Sequence, residues 1–153
     1  LLCVEKNDYY LELIENLNSS AILPGVEILL QSLLDLDIKI GVGSASKNAV
    51  RILDALKLSS YFKIIVDGNM VKNGKPDPET FVVACEHLSV DPQRTIVFED
   101  AIKGVDAAKA GGMICVGIGS AGILGHADLV IDGFADISLY DIVNKLGCFE
   151  TLN

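Results

Sequence analysis

The apolar positions of this chain follow two rhythms that alternate from one end to the other. Tyr10, Leu13, Ile14 and Leu17 share one face of a helix over about residues 7–17, and Val26, Leu29, Leu30, Leu33 and Leu34 mark a second, strongly amphipathic helix. Asn18-Ser19-Ser20 ends the first, and Leu23-Pro24-Gly25 turns the chain between the two. Beyond them, short continuous apolar runs at 38–42, 63–66, 95–98, 113–118 and 128–131 predict strands. Helical spacing returns through Val50, Leu53 and Leu56, through Phe81, Val82, Cys85 and Leu88, through Ile102, Val105 and Ala108, and over about 138–146. Asp77 is placed to cap the helix through Phe81 and Pro78 to be its first residue, while Gly111-Gly112 stops the helix through Val105. Strands that are apolar almost throughout, separated by helices, predict a parallel α/β sheet covered on both faces.

Composition narrows the picture by exclusion. The chain has 153 residues, half of them hydrophobic, which is enough for one domain with a real core. A net charge of -9 and the lack of any basic run argue against a nucleic-acid surface. No apolar stretch approaches the length of a membrane span, and no secretory signal opens the chain. The cysteines, Cys3, Cys85, Cys115 and Cys148, are scattered, so Cys85 and Cys115 read as small core residues and the expected compartment is the reducing cytoplasm. His87 and His126 have no partner at metal or triad spacing and read as structural or solvated. The Gly-rich run from Gly117 to Gly122 lacks dinucleotide-loop spacing and a following helix, and is expected to be a plain loop.

Three polar signals then stand at strand ends or in loops that leave them. Thr95-Ile96-Val97-Phe98-Glu99-Asp100 is an apolar strand closed by two carboxylates, which repel each other unless a cation sits between them; a hard divalent ion with a preference for oxygen fits. The alternative is that Glu99 and Asp100 cap the next helix. Gly43-Ser44-Ala45-Ser46-Lys47-Asn48 offers a hydroxyl and successive N–H groups to an anion, the alternative being a helix cap by Ser46. Lys75 is held between a glycine and Pro76-Asp77-Pro78. An anion cradle, a cation and an acid pair on one sheet edge are the equipment of phosphoryl transfer, in which positioning and charge neutralisation do most of the catalysis.

In this order, Ser44, then Gly74-Lys75-Pro76-Asp77-Pro78, then Phe98-Glu99-Asp100-Ala101 followed by Gly104 and the small residues to Gly111, the motifs resemble the second, third and fourth motifs of the haloacid dehalogenase superfamily. Ser44-Ala45-Ser46-Lys47-Asn48 is similar to the signature of the β-phosphoglucomutases within it, and Lys6-Asn7-Asp8-Tyr9 resembles the end of their helical cap. The resemblance implies a Rossmann-like sheet with helices on both faces over residues 23–153, preceded by the end of a cap and a linker over 1–22. It implies that Ser44 and the Ala45 N–H bind the transferring phosphoryl group and that Lys75 neutralises its charge. It further implies that Glu99 and Asp100 hold Mg²⁺, and that Ser46, Lys47, Asn48 and Lys6 grip the second phosphate of a sugar phosphate. The expected reaction is the conversion of β-glucose 1-phosphate to glucose 6-phosphate through a bisphosphate. The alternatives are a sugar-phosphate or phosphoglycolate phosphatase and a non-catalytic remnant that binds phosphate or a partner. A phosphoacceptor receiver domain gathers similar groups, but its acid pair comes early and its lysine last, the reverse of the order here.

One motif of that superfamily is missing. Its nucleophile lies in an Asp-x-Asp that ends the first strand, and no such motif follows an apolar strand upstream of Ser44; Asp35-Leu36-Asp37 precedes its strand. The chain also opens at Leu1 without methionine. It therefore reads as the C-terminal portion of an enzyme, expected to be inactive alone and to partner its own missing N-terminal segment. The absent strand would lie between those ending at Ser44 and Asp100, leaving them about twice the usual ~4.8 Å apart.

Overall fold

The structure, a computed structural model, describes Ile14 and residues 16–147. The helix expected over 7–17 falls almost wholly outside the described residues. The elements are α1 (Val26–Asp35), β1 (Gly41–Gly43), α2 (Ala49–Ala55), β2 (Ile64–Val66), α3 (Glu79–Leu88), β3 (Ile96–Glu99), α4 (Ile102–Ala110), β4 (Ile114–Ile118), α5 (Ala121–Leu124), β5 (Leu129–Ile131) and α6 (Leu139–Leu146). All strand pairs are parallel, as the alternation with helices requires.

The strands form two sheets: β1 with β2, and β3-β4-β5 in that order. The division falls between β1 and β3, the two strands whose ends carry the candidate chemistry. At the two ends of β1, Ser44 N donates to Val66 O and Ile40 O accepts from Lys63 N. By the alternation of a parallel ladder, Gly41 and Gly43 turn their backbone groups away from β2, toward the division.

Side chains of the three-stranded sheet alternate between two clusters. Val97 and Cys115 point to one face, where Phe81 and Cys85 of α3, Val105, Ala107 and Ala108 of α4, and Leu124 of α5 cover them. Val116 and Ile131 point to the other, with Ile96 and Phe98, under Leu29 of α1 and Ile142 of α6. Helices on both faces are thus in place. Because α3 packs on β1 and β2 while Phe81 and Cys85 join the cluster under β3, this helix spans both sheets. Each fully buried aliphatic side chain here stabilises by about 1.5–3 kcal/mol.

Several local expectations shift. The strand expected at 38–42 is regular only from Gly41, although Ile40 O already accepts from Lys63 N. Asp77 does not cap α3 as its boundary residue: Pro78 holds that place, and Asp77 Oδ1 accepts from Glu79 N at 2.9 Å one step earlier. The Gly-rich run after β4 is not a plain loop. Ser120 starts α5, its carbonyl accepting from Ile123 N and Leu124 N, because Leu124 is pulled into the core. Cys85 and Cys115 are buried, as expected; Cys3 and Cys148 lie outside the described residues. His87 is exposed on the last turn of α3, whereas His126 does have a partner, its Nε2 standing 3.1 Å from Asp106 Oδ1.

Candidate active site

A cleft of about 520 Å³ opens where the two sheets divide. Gly43, Ser44 and Ala45 line it from the end of β1, Gly74 and Lys75 from the loop before α3, and Phe98, Glu99, Asp100 and Ala101 from the end of β3; Lys103 and Gly104 of α4 complete the wall. Five of the sequence-derived site residues, Ser44, Ala45, Lys75, Glu99 and Asp100, therefore meet in one place. Ser46, Lys47 and Asn48 do not line this cleft, and Lys6 lies outside the described residues.

Lys75 joins the two sides. Its ammonium donates to Gly43 O at 3.1 Å, forms an ion pair with Glu99 Oε1, and stands 4.5 Å from the centroid of the Phe81 ring. The carbonyl it takes on β1 is one that β2 leaves unused. Both partners are largely shielded, at 16% and 9% exposure for the Lys75 and Glu99 side chains. A charge pair so removed from water is strongly coupled, and losing either member strands the other.

Glu99 owes its place to a glycine. A Cβ on Gly104, in the first turn of α4, would overlap the Glu99 carboxyl group. The capping alternative fails here: Ala101 is the boundary residue of α4 and makes no side-chain cap, and neither Glu99 nor Asp100 accepts from a helix N–H among the described residues. Burial pushes the Cys115 thiol on neighbouring β4 up to about 11, with the Glu99 and Asp128 carboxylates adding to it.

The hydroxyls of the first loop face their own backbone. Ser44 Oγ accepts from Ser46 N at 3.1 Å and Ser46 Oγ from Asn48 N at 3.2 Å, so Ser46 braces the turn before α2, whose boundary residue is Asn48. Gly68, after β2, lies against this loop: a Cβ there would come within 2.5 Å of Ala45 O.

Glu99 and Asp100 offer the hard oxygen donors that suit Mg²⁺. Two carboxylates are fewer than a full coordination shell needs, and no group of three His, Cys, Asp or Glu gathers among the described residues. The sequence pattern singled out neither Phe81, Glu79 nor Lys103 for the site, and it placed Gly104 in a motif without its packing on Glu99. An isolated glycine inside a helical pattern, as at Gly104, is a packing signal that was available; Lys103 gave none.

The family model described as haloacid dehalogenase-like hydrolase matches residues 4–118. The chain belongs to this family. Among haloacid dehalogenase-like proteins, it is 40% identical over 134 residues to the β-phosphoglucomutase of Bacillus subtilis, an alignment that covers 88% of this chain and 59% of that protein. It is also 40% identical over 92 residues to the phosphorylated carbohydrates phosphatase of Thermotoga maritima, covering 59% of this chain and 43% of the relative. The crystal structure of β-phosphoglucomutase from Clostridium difficile superposes with a TM-score of 0.91 at 41% identity, over 96% of this chain and 66% of that one. The chain thus spans less than two thirds of the length of these relatives. No described helix is long and apolar enough to cross a membrane.

Proposed function

We propose that this chain supplies the phosphate- and metal-binding half of an enzyme that moves a phosphoryl group on a sugar phosphate, with β-glucose 1-phosphate isomerised to glucose 6-phosphate through a bisphosphate. The observation that carries the reading is the bridge made by Lys75, which delivers one shielded positive charge between the Ser44 loop and the acid pair. A phosphoryl group lying across that bridge meets the Lys75 ammonium on one side and the Ser44–Ala45 turn on another, which is the charge placement its transfer needs. Glu99 and Asp100 would hold Mg²⁺, which when bound neutralises phosphate oxygens. Ser46, Lys47, Asn48 and Lys6 would serve the second phosphate. The relatives include a β-phosphoglucomutase and sugar-phosphate phosphatases, and the proposed setting is the cytoplasm.

The nucleophile has to come from outside the motifs present, so the 153-residue chain on its own gives no turnover, and its partner is an Asp-x-Asp segment seated between β1 and β3. The test offers β-glucose 1-phosphate, a bisphosphate primer and Mg²⁺ to the protein with and without such a segment. Glucose 6-phosphate formed only with the segment is expected. Inorganic phosphate in its place selects the phosphatase reading. Binding of phosphate and Mg²⁺ with neither product, segment included, selects the non-catalytic remnant and overturns the proposal.

A further inference from the structure

Lys75 sits on a loop, yet its ammonium is aimed at three partners that belong to three different elements. Something has to hold the loop still. The first turn of α3 does so from both ends. Glu79 Oε1 accepts from Lys72 N at 2.9 Å and Glu79 Oε2 from Asn73 N at 2.8 Å, a two-pronged clasp on consecutive amides just before Gly74 and Lys75. On the far side, Asp77 N donates to Gly74 O at 3.1 Å, and Asp77 Oδ1 accepts from the Glu79 amide at 2.9 Å. The five residues from Lys72 to Pro76 are thus tied back to Glu79 at either end. The same helical turn fixes the target. Thr80 and Phe81 press on Gly43, where a Cβ would come within 2.9–3.0 Å of them, and Gly43 O is the carbonyl that Lys75 takes.

We infer that Glu79 is a positioning residue for Lys75: its carboxylate clasps the Lys72 and Asn73 amides so that the loop presents the lysine to Gly43 and Glu99. The importance of that placement for phosphoryl transfer rests on the function proposed above; the clasp itself does not. The two amides hold the Glu79 carboxyl below the usual carboxylate range, Lys72 N–H first and Asn73 N–H second, which agrees with an ionised clasp near neutral pH. Hydrogen bonds to a charged acceptor are the stronger kind, so their loss is enough to free a short loop.

The test measures, by mass spectrometry after brief acylation, how fast each lysine of the protein is labelled in the absence of substrate. An ammonium held against Glu99 and Gly43 reacts slowly. In Glu79→Ala, Lys75 labelling should rise about tenfold, the equivalent of one charge-assisted hydrogen bond, while Lys103 and Lys145 keep their rates. Glu79→Gln retains one acceptor oxygen and should fall between. Unchanged Lys75 labelling in Glu79→Ala overturns the inference. If Glu79→Ala raises every lysine together, the fold has loosened and Glu79→Gln decides: a selective rise at Lys75 supports the clasp, and none overturns it. Because no turnover is read, absence of phosphoryl transfer would sink the proposed function and leave this result standing.

Discussion

The two sheets differ in how they are held. In the three-stranded sheet β4 has a ladder on each side, Cys115 and Val116 are fully buried, and helices cover both faces. In the two-stranded sheet only Val66 is fully buried, β1 is three residues long, and the edge toward β3 has no strand beside it among the described residues. The acid pair rises from the firm sheet and the Ser44 loop from the thin one. Their spacing is therefore set by what crosses the division, namely α3 below and the Lys75 bridge above. A site assembled this way depends on the seam more than on either sheet's interior.

The largest effect should come from the firm half. Ile142→Ala, at a fully buried position of α6, is expected to cost about 4 kcal/mol by urea denaturation. Ile65→Ala in half-buried β2 should cost about 1–2 kcal/mol, because less apolar area is lost. Equal costs would erase the distinction between the sheets. Between these falls the seam itself. Lys75→Ala leaves the Glu99 carboxylate shielded and unpaired, an expected loss of about 3 kcal/mol, and adding Glu99→Gln should recover part of it in a double-mutant cycle. At the small end, Lys109→Ala breaks the exposed pair with Asp128 at 2.5 Å and should cost under about 1 kcal/mol, less at high salt.

A pH experiment sharpens the same contrast. Folding raises the Cys115 thiol from 9.0 to about 11. The unfolded chain ionises first, so stability should fall as pH rises through that window, and Cys115→Ala should flatten the decline. Glu79 and Asp141 shift the other way. Glu79 is lowered by the Lys72 and Asn73 amides, and Asp141 by the Ser138 hydroxyl and then its amide. Their contributions are complete above the ordinary carboxylate range and fade as pH drops below it, where the loop clasp and the α6 capping box should loosen. A stability profile that is level on the acid side would contradict this.

Much of the architecture was legible because its cause is local. Apolar runs made strands, helical spacing made helices, and Ser44, Lys75 and Glu99-Asp100 stood out as polar groups at the ends of apolar segments. What escaped was set by distant contacts. Phe81 reads as one more apolar residue of α3 until Lys75 comes to lie over its ring. Ile38 and Lys39 fit a strand pattern, but the regular ladder begins only at Gly41. Leu124 turned a glycine-rich run into a helical turn because the core beside β4 had room for it. Glu79 looks like an ordinary first-turn acid, and only the folded loop reveals that it faces backward along the chain.

Deuterium would read the division between the sheets as a pair of clocks. The amides of Gly41 and Gly43 point where no described strand receives them, so in heavy water they should exchange soon after mixing. The amide of Val116, in the middle strand of the other sheet, can exchange only when that sheet comes apart. If a strand were to settle between β1 and β3, the fast clock would slow by orders of magnitude and the slow one would scarcely change. The protein thus carries its own gauge of whether the gap is filled.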